Sequence, residues 1–100
     1  EARIWPAFPY LVGKKKDRLL VIDFDLLNKD DCSPGHRQIE LYSYTSEKGK
    51  SLLELETHGK YQETVPGDTL TMSIFWSIVP LEKKNMNEKE ITDYIKSLKN

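Results

Sequence analysis

Two aspartates, Asp23 and Asp25, stand two residues apart at the end of the apolar run Leu19-Leu20-Val21-Ile22. In a strand this spacing puts both carboxylates on one face. A pair so placed could supply a nucleophile and an acid/base group, or hold a cation. The other groups with ligand chemistry are Asp30, Asp31, Cys32, His36, His58 and Asp68. No pair among them has zinc-motif spacing such as C-x₂-C or H-x₃-H. Around Asn28, Asp30 and Asp31 the alternating oxygen ligands, Gly and Glu of an EF-hand loop are missing. No serine sits in a G-x-S-x-G elbow, and the five glycines form no phosphate-cradling loop. The expectation is therefore no catalytic residue, no metal site and no cofactor. Asp23 and Asp25 then read as the solvated face of a half-buried strand.

Aromatic residues point to binding rather than chemistry. Tyr42 and Tyr44 alternate with Gln38 and Glu40 on the polar face of their strand, where rings can stack on sugars or bases. Trp5, Phe8 and Tyr10 crowd a proline-containing N-terminal stretch and could close one end of a core or dock a partner. These five residues are the candidate contacts for a protein or carbohydrate partner. Lys14, Lys15 and Lys16 form a small basic cluster that reads as a solvated turn.

The elements that must position these side chains are mostly strands. Residues 1–17 read as an aromatic and proline-rich arm followed by a turn, since Pro6 and Pro9 lack the donor a central strand needs. Residues 18–27 alternate with Leu20, Ile22, Phe24 and Leu26 on one face. Residues 28–36 are a polar loop. Strands follow over residues 38–45 and 51–57, joined by a loop containing Gly49. Pro66 and Gly67 set a type II turn, with a further short piece near residues 60–64. The last strand covers residues 69–79, with Leu70, Met72, Ile74, Trp76 and Ile78 together. The core is expected around Leu20, Ile22, Phe24, Leu70, Ile74 and Trp76.

After the polar link Lys83, Lys84 and Asn85, Asn87 and Glu90 have capping-box spacing. Ile91, Tyr94, Ile95 and Leu98 form one apolar stripe, so residues 87–99 read as a short helix. Such a helix is marginal alone and must pack on its own sheet or on a partner. The fold class is mainly β: an antiparallel β-sandwich or small barrel with a short C-terminal α-helix.

A chain of 100 residues is one domain, and 38% hydrophobic with 31% charged residues is ordinary for a folded one. The net charge of −1, from 15 basic and 16 acidic residues, argues against a duplex-binding role, which needs a basic excess. The single Cys32 excludes an internal disulfide and says little about compartment. The apolar runs are too short to span a bilayer. The chain opens at Glu1 rather than Met, which reads as a processed chain or an excised piece.

Two resemblances add to these readings. Val21-Ile22-Asp23-Phe24-Asp25-Leu26-Leu27 looks like the first motif of haloacid dehalogenase-type phosphatases, which would make Asp23 a nucleophile and Asp25 an acid/base group. Leu26 and Leu27 stand where that family carries Gly-Thr, and the chain is short and helix-poor for its α/β fold. Residues 19–29, ending in Asn28-Lys29, and residues 65–74, opening on Val65-Pro66-Gly67, resemble elements of immunoglobulin-like (telokin-like) domains of bacterial surface lipoproteins of unknown function. That resemblance implies an extracytoplasmic, non-enzymatic module. The expected function is accordingly a non-catalytic binding or protein-interaction module. The alternatives are a small metal-dependent hydrolase using Asp23 and Asp25 with His36 or His58, and a single-strand nucleic-acid binder joining Lys14–Lys16 to Tyr42 and Tyr44.

Overall fold

The computed structural model describes residues 2–81, 83 and 85–99; Glu1 at the head of the arm and Lys84 in the polar link lie outside the described residues. Among the described residues, six strands, one 3₁₀ turn and one α-helix follow in chain order: β1 (Ala2–Ile4), β2 (Tyr10–Lys15), β3 (Arg18–Asp23), the 3₁₀ turn (Lys29–Asp31), β4 (Ile39–Thr45), β5 (Ser51–Thr57), β6 (Phe75–Pro80) and α1 (Glu88–Leu98). They form two three-stranded antiparallel sheets, ordered β1-β4-β5 and β2-β3-β6. The mainly β class with one short C-terminal helix is thus the observed architecture.

The sheets face each other through Ile22 and Phe24 from the second and Ile39 from the first, with Leu11, Leu20, Leu41 and Leu55 around them. Gly13 lies in β2 where a Cβ would come within 2.7 Å of Leu55 Cδ1, so glycine there lets the layers approach. A second cluster lies on the opposite face of β3. Leu19 and Val21 pack against Ile95 of α1, with Tyr10, Val12, Val79, Leu81, Ile91 and Tyr94 at its border. The helix therefore closes over its own sheet, making three layers.

This layering corrects the half-buried reading of β3. Both faces of its run Leu19-Leu20-Val21-Ile22 are covered, as the continuous apolar composition of a central strand requires. Strand pairing ends at Asp23, earlier than expected; Phe24 adds one bond, its N–H donating to Pro9 O at 3.0 Å. The N-terminal stretch is not a simple arm, since β1 and β2 are edge strands of the two sheets and the prolines sit between them. The basic run ends β2, and the chain reverses at Lys16, whose φ is +56°.

Local signals elsewhere are realised as expected. The 51–57 strand has those bounds. The turn at Val65-Pro66-Gly67-Asp68 closes through Asp68 N–H to Val65 O at 3.0 Å, with Gly67 at φ +98°. Asn87 Oδ1 accepts from Glu90 N–H at 2.8 Å, and Glu90 Oε1 accepts from Asn87 N–H at 3.3 Å, completing the capping box.

The last strand is shorter than its alternation suggests. It begins at Phe75, and residues 69–74 pair with no strand among the described residues. Leu70, Met72, Trp76 and Ile78 are exposed, so they do not anchor the core; Ile74 is also outside it. Alternation alone cannot distinguish a face that meets a covering layer from one left open. Residues 60–64 form no strand either.

Candidate functional site

Three features gather chemistry: the end of the first sheet, its outer face, and the free edge of the second sheet. At the end of the first sheet, His36, Glu40 and His58 converge. Glu40 lies in β4 opposite Glu56 of β5. His58 follows β5 directly, and its N–H donates to Gln38 O at 2.9 Å, which prolongs the ladder by one step. His36 is set by the turn at Gly35, φ +79°, with its N–H donating to Ser33 O at 3.0 Å. The result places His36 Nδ1 2.9 Å and His58 Nε2 3.5 Å from Glu40 Oε1. Arg3 Nε approaches the same oxygen at 3.3 Å.

The two imidazole rings lie 5.9 Å apart. His58 Nε2 is shut off from solvent without a hydrogen-bond partner among the described residues. The three ligand atoms lie within 4.8 Å of one another, a spacing from which a metal ion could be held. Both histidines line an open cavity with Cys32, Ser33, Lys60, Tyr61 and Gln62. The cavity wall is fixed by Tyr61 N–H donating to Asp31 O at 2.7 Å and by Lys60 Nζ, 3.8 Å from Asp31 Oδ1.

Electrostatics follow the geometry. The hydrogen bond to His36 holds Glu40 below the usual carboxylate range against its desolvation, with His58 and Arg3 adding favourable charge. Desolvation, then the neighbouring Glu54 and Glu40, push Glu56 up. Burial and the charge of Asp31 push the Cys32 thiol up, the opposite of an activated nucleophile. Because Glu40 is depressed in the folded state, it adds stability above the ordinary carboxylate pKa. That stability is lost as pH falls through its lowered value. Denaturant midpoints measured across acid pH should therefore fall less steeply for Glu40→Gln than for the wild type; parallel profiles would contradict the assignment.

Histidines read as separate loop residues thus meet through β4 and β5. Glu40, which had no assigned role, is the carboxylate between them. The clue in the sequence was its place four residues after His36, but the approach of His58 depends on the β4–β5 register. The Asp pair takes another part. Asp23 forms an ion pair with Lys99 beyond α1, and Asp25 offers its backbone oxygen to Gln38 Nε2 at 2.7 Å. No hydrogen bond or ion pair joins either aspartate to a histidine among the described residues.

The outer face of the first sheet carries Tyr42 and Tyr44, both exposed, opposite Glu54 and Leu52. Lys14 and Lys15 belong to the other sheet, so this face does not unite the basic run with the tyrosines. Gln38, expected beside the tyrosines, is turned inward and 1% exposed. The N-terminal aromatics meet lysines of the same chain. Lys29 Nζ lies 5.7 Å from the Trp5 ring centroid. Phe8 stacks on Tyr10 with centroids 5.7 Å apart, beneath Lys96 and Lys99 respectively. In this arrangement Phe8 and Tyr10 help seat the C-terminal helix.

The free edge of the second sheet is β6. Its pairing side meets β3, and no strand pairs with its other side among the described residues. Phe75, Trp76 and Ile78 are 70%, 69% and 62% exposed. Register places Trp76 with Ile22 and Ile78 with Leu20, on the face toward the first sheet, whereas Phe75 pairs with Asp23 on the helix side. Leu70 and Met72 of the preceding segment are also exposed, but Leu70 borders the cavity with His36 and His58, and Met72 lies against Gly59. The other three edge strands each carry charge: Arg3 in β1, Lys14 and Lys15 in β2, and Glu54 and Glu56 in β5. β6, with sequence FWSIVP, carries none. Among the described residues, no helix is long and apolar enough to cross a membrane.

Residues 1–79 match the family model described as a domain of unknown function (DUF4380). No curated protein matches the chain, and no solved structure matches it.

Proposed function

The chain belongs to the DUF4380 family of domains of unknown function, and from that premise we propose that it is a non-catalytic protein-interaction module that accepts an extended polypeptide along β6. The observation carrying this reading is the uncharged β6 edge, unpaired among the described residues, with its exposed Phe75, Trp76 and Ile78. An antiparallel edge presents backbone donors and acceptors in a row, and another strand answers both in register. Proteins ordinarily protect such edges with charge, and β6 has none. Apolar side chains on both faces would then be covered by alternate side chains of the incoming strand and of whatever lies beyond it. The occupant favoured by these features is an extended segment rich in β-branched and aromatic residues.

A synthetic peptide of sequence TLTMSIFWSIVP, the chain's own residues 69–80, supplies a suitable probe. It should bind the intact chain saturably in a fluorescence or calorimetric titration. Trp76→Lys should weaken binding about 30-fold, the size expected for losing a central aromatic anchor worth roughly 2 kcal/mol. Tyr42→Ala with Tyr44→Ala should leave it unchanged. Retained binding in the β6 variant, or loss confined to the tyrosine variant, would overturn this reading. Sedimentation of the chain alone distinguishes a second copy as occupant, since self-association would rise with concentration and vanish with Trp76→Lys.

A further inference from the structure

We propose that His36, Glu40 and His58 form a binding site for one divalent first-row transition metal ion of the zinc type. The site lies at the end of the first sheet and does not depend on the β6 reading. Two neutral imidazole nitrogens and one carboxylate oxygen are the ligand chemistry that suits such a cation. They also distinguish it from calcium or magnesium, which prefer oxygen.

Geometry supports the assignment. With metal–ligand bonds of roughly 2.0–2.1 Å, tetrahedral ligand atoms sit about 3.3 Å apart. His36 Nδ1 and His58 Nε2 stand 2.9 and 3.5 Å from Glu40 Oε1, close to that separation. The remaining pair lies within 4.8 Å, so a modest rotation of the two partly exposed imidazoles closes the set. His58 Nε2 supplies an independent sign. The atom is shut off from solvent and its carboxylate neighbour, Glu40 Oε1, stands 3.5 Å away without hydrogen-bond geometry, so the nitrogen is left under-satisfied among the described residues and a metal would engage it.

The surroundings suit the ion as well. Arg3 Nε lies 3.3 Å from the same Glu40 Oε1 that faces both histidines, so a metal on that oxygen requires the guanidinium to shift to the second carboxylate oxygen. There Arg3 serves as the outer partner that orients the ligand, as such partners do in metal sites. Both histidines border the open cavity, which leaves room for water or a small ligand in the remaining coordination position. Three protein ligands and an open position form the pattern of a zinc ion that exchanges ligands, rather than a closed structural site.

The test uses the intact metal-free chain and Zn²⁺ alone. Isothermal titration should give one equivalent bound, and the thermal midpoint should rise with added Zn²⁺ by mass action. His36→Gln, His58→Gln and Glu40→Gln should each weaken binding by more than the roughly 100-fold that loss of an outer partner can cost. Co²⁺ should give the intense visible bands of a four- or five-coordinate ion in the wild type and none in the variants. Circular dichroism of each apo variant checks the fold, and the near-isosteric Glu40→Gln serves should a histidine variant unfold. Absence of one-to-one Zn²⁺ binding by the wild type would overturn the proposal. So would equal affinity in a folded His36→Gln/His58→Gln double variant.

Discussion

Ile95→Ala should destabilise the chain by about 2–5 kcal/mol, the range for truncating a buried aliphatic side chain. Ile95 is 1% exposed and fills the space between Leu19 and Val21 on the helix side of β3. Its loss would leave a cavity bounded by the central strand on one side and a short helix on the other. The helix cannot hold itself in place, because 11 residues are too few for independent stability in water. Its capping box settles where it starts, whereas Ile95 with Ile91 and Tyr94 settles that it docks. Chemical denaturation followed by far-ultraviolet circular dichroism measures the cost. A loss below about 0.5 kcal/mol, the scale of an ordinary surface change, would mean that α1 does not close over this sheet in solution.

Gln38→Leu should also destabilise the chain, by about 1–3 kcal/mol in all, because it removes two hydrogen bonds to part-buried backbone groups worth roughly 0.5–1.5 kcal/mol each. Gln38 Nε2 donates to Asp25 O at 2.7 Å, and Gln38 Oε1 accepts from Leu27 N–H at 3.0 Å. These bonds pin the segment that leaves β3 against the start of β4, beside the core residues Phe24 and Ile39. Leucine has similar bulk and greater hydrophobicity, so a simple burial argument predicts a neutral or stabilising change. The two readings give opposite signs. A denaturation midpoint for Gln38→Leu at or above that of the wild type would remove the hydrogen-bonding role.

Gln38 also shows where the sequence becomes opaque. Its alternation with Glu40, Tyr42 and Tyr44 suggested an open face, but β4 begins at Ile39 and Gln38 turns inward to satisfy residues 25 and 27. Local chemistry was legible: Pro66-Gly67 gives the expected turn, Asn87 and Glu90 the expected cap, and residues 51–57 the expected strand. Those features are decided within a few residues. The second face of β3 was not legible, because Leu19 and Val21 are covered by a helix more than 60 positions later, around Ile95. Residues 69–74 alternate like a strand, but a strand requires a partner that the described residues do not supply.

The candidate sites divide in the same way. Period-two alternation puts Tyr42 and Tyr44 on one face of β4, and both are exposed there. The roles of Trp5, Phe8 and Tyr10 beside Lys29, Lys96 and Lys99 depend on tertiary placement. The His36–Glu40–His58 cluster depends on the register that sets Glu40 opposite Glu56 and carries His58 one step further. The apolar composition of residues 70–78 suggests a place in the core, but Leu70, Met72, Trp76 and Ile78 are exposed. The exposure in β6 follows from the first sheet ending before it covers that strand and is the basis of the interaction reading.

Amide hydrogen exchange across β6 tests that reading most directly. In an antiparallel ladder only alternate residues of β6 direct their N–H groups toward β3, so the intervening ones face outward and should exchange rapidly in the free chain. Saturation with the peptide of residues 69–80 should protect these alternate amides within Phe75–Pro80, leaving β1, β4 and β5 little changed. Unchanged exchange along β6 in the saturated complex, with new protection elsewhere, would contradict strand addition at this edge.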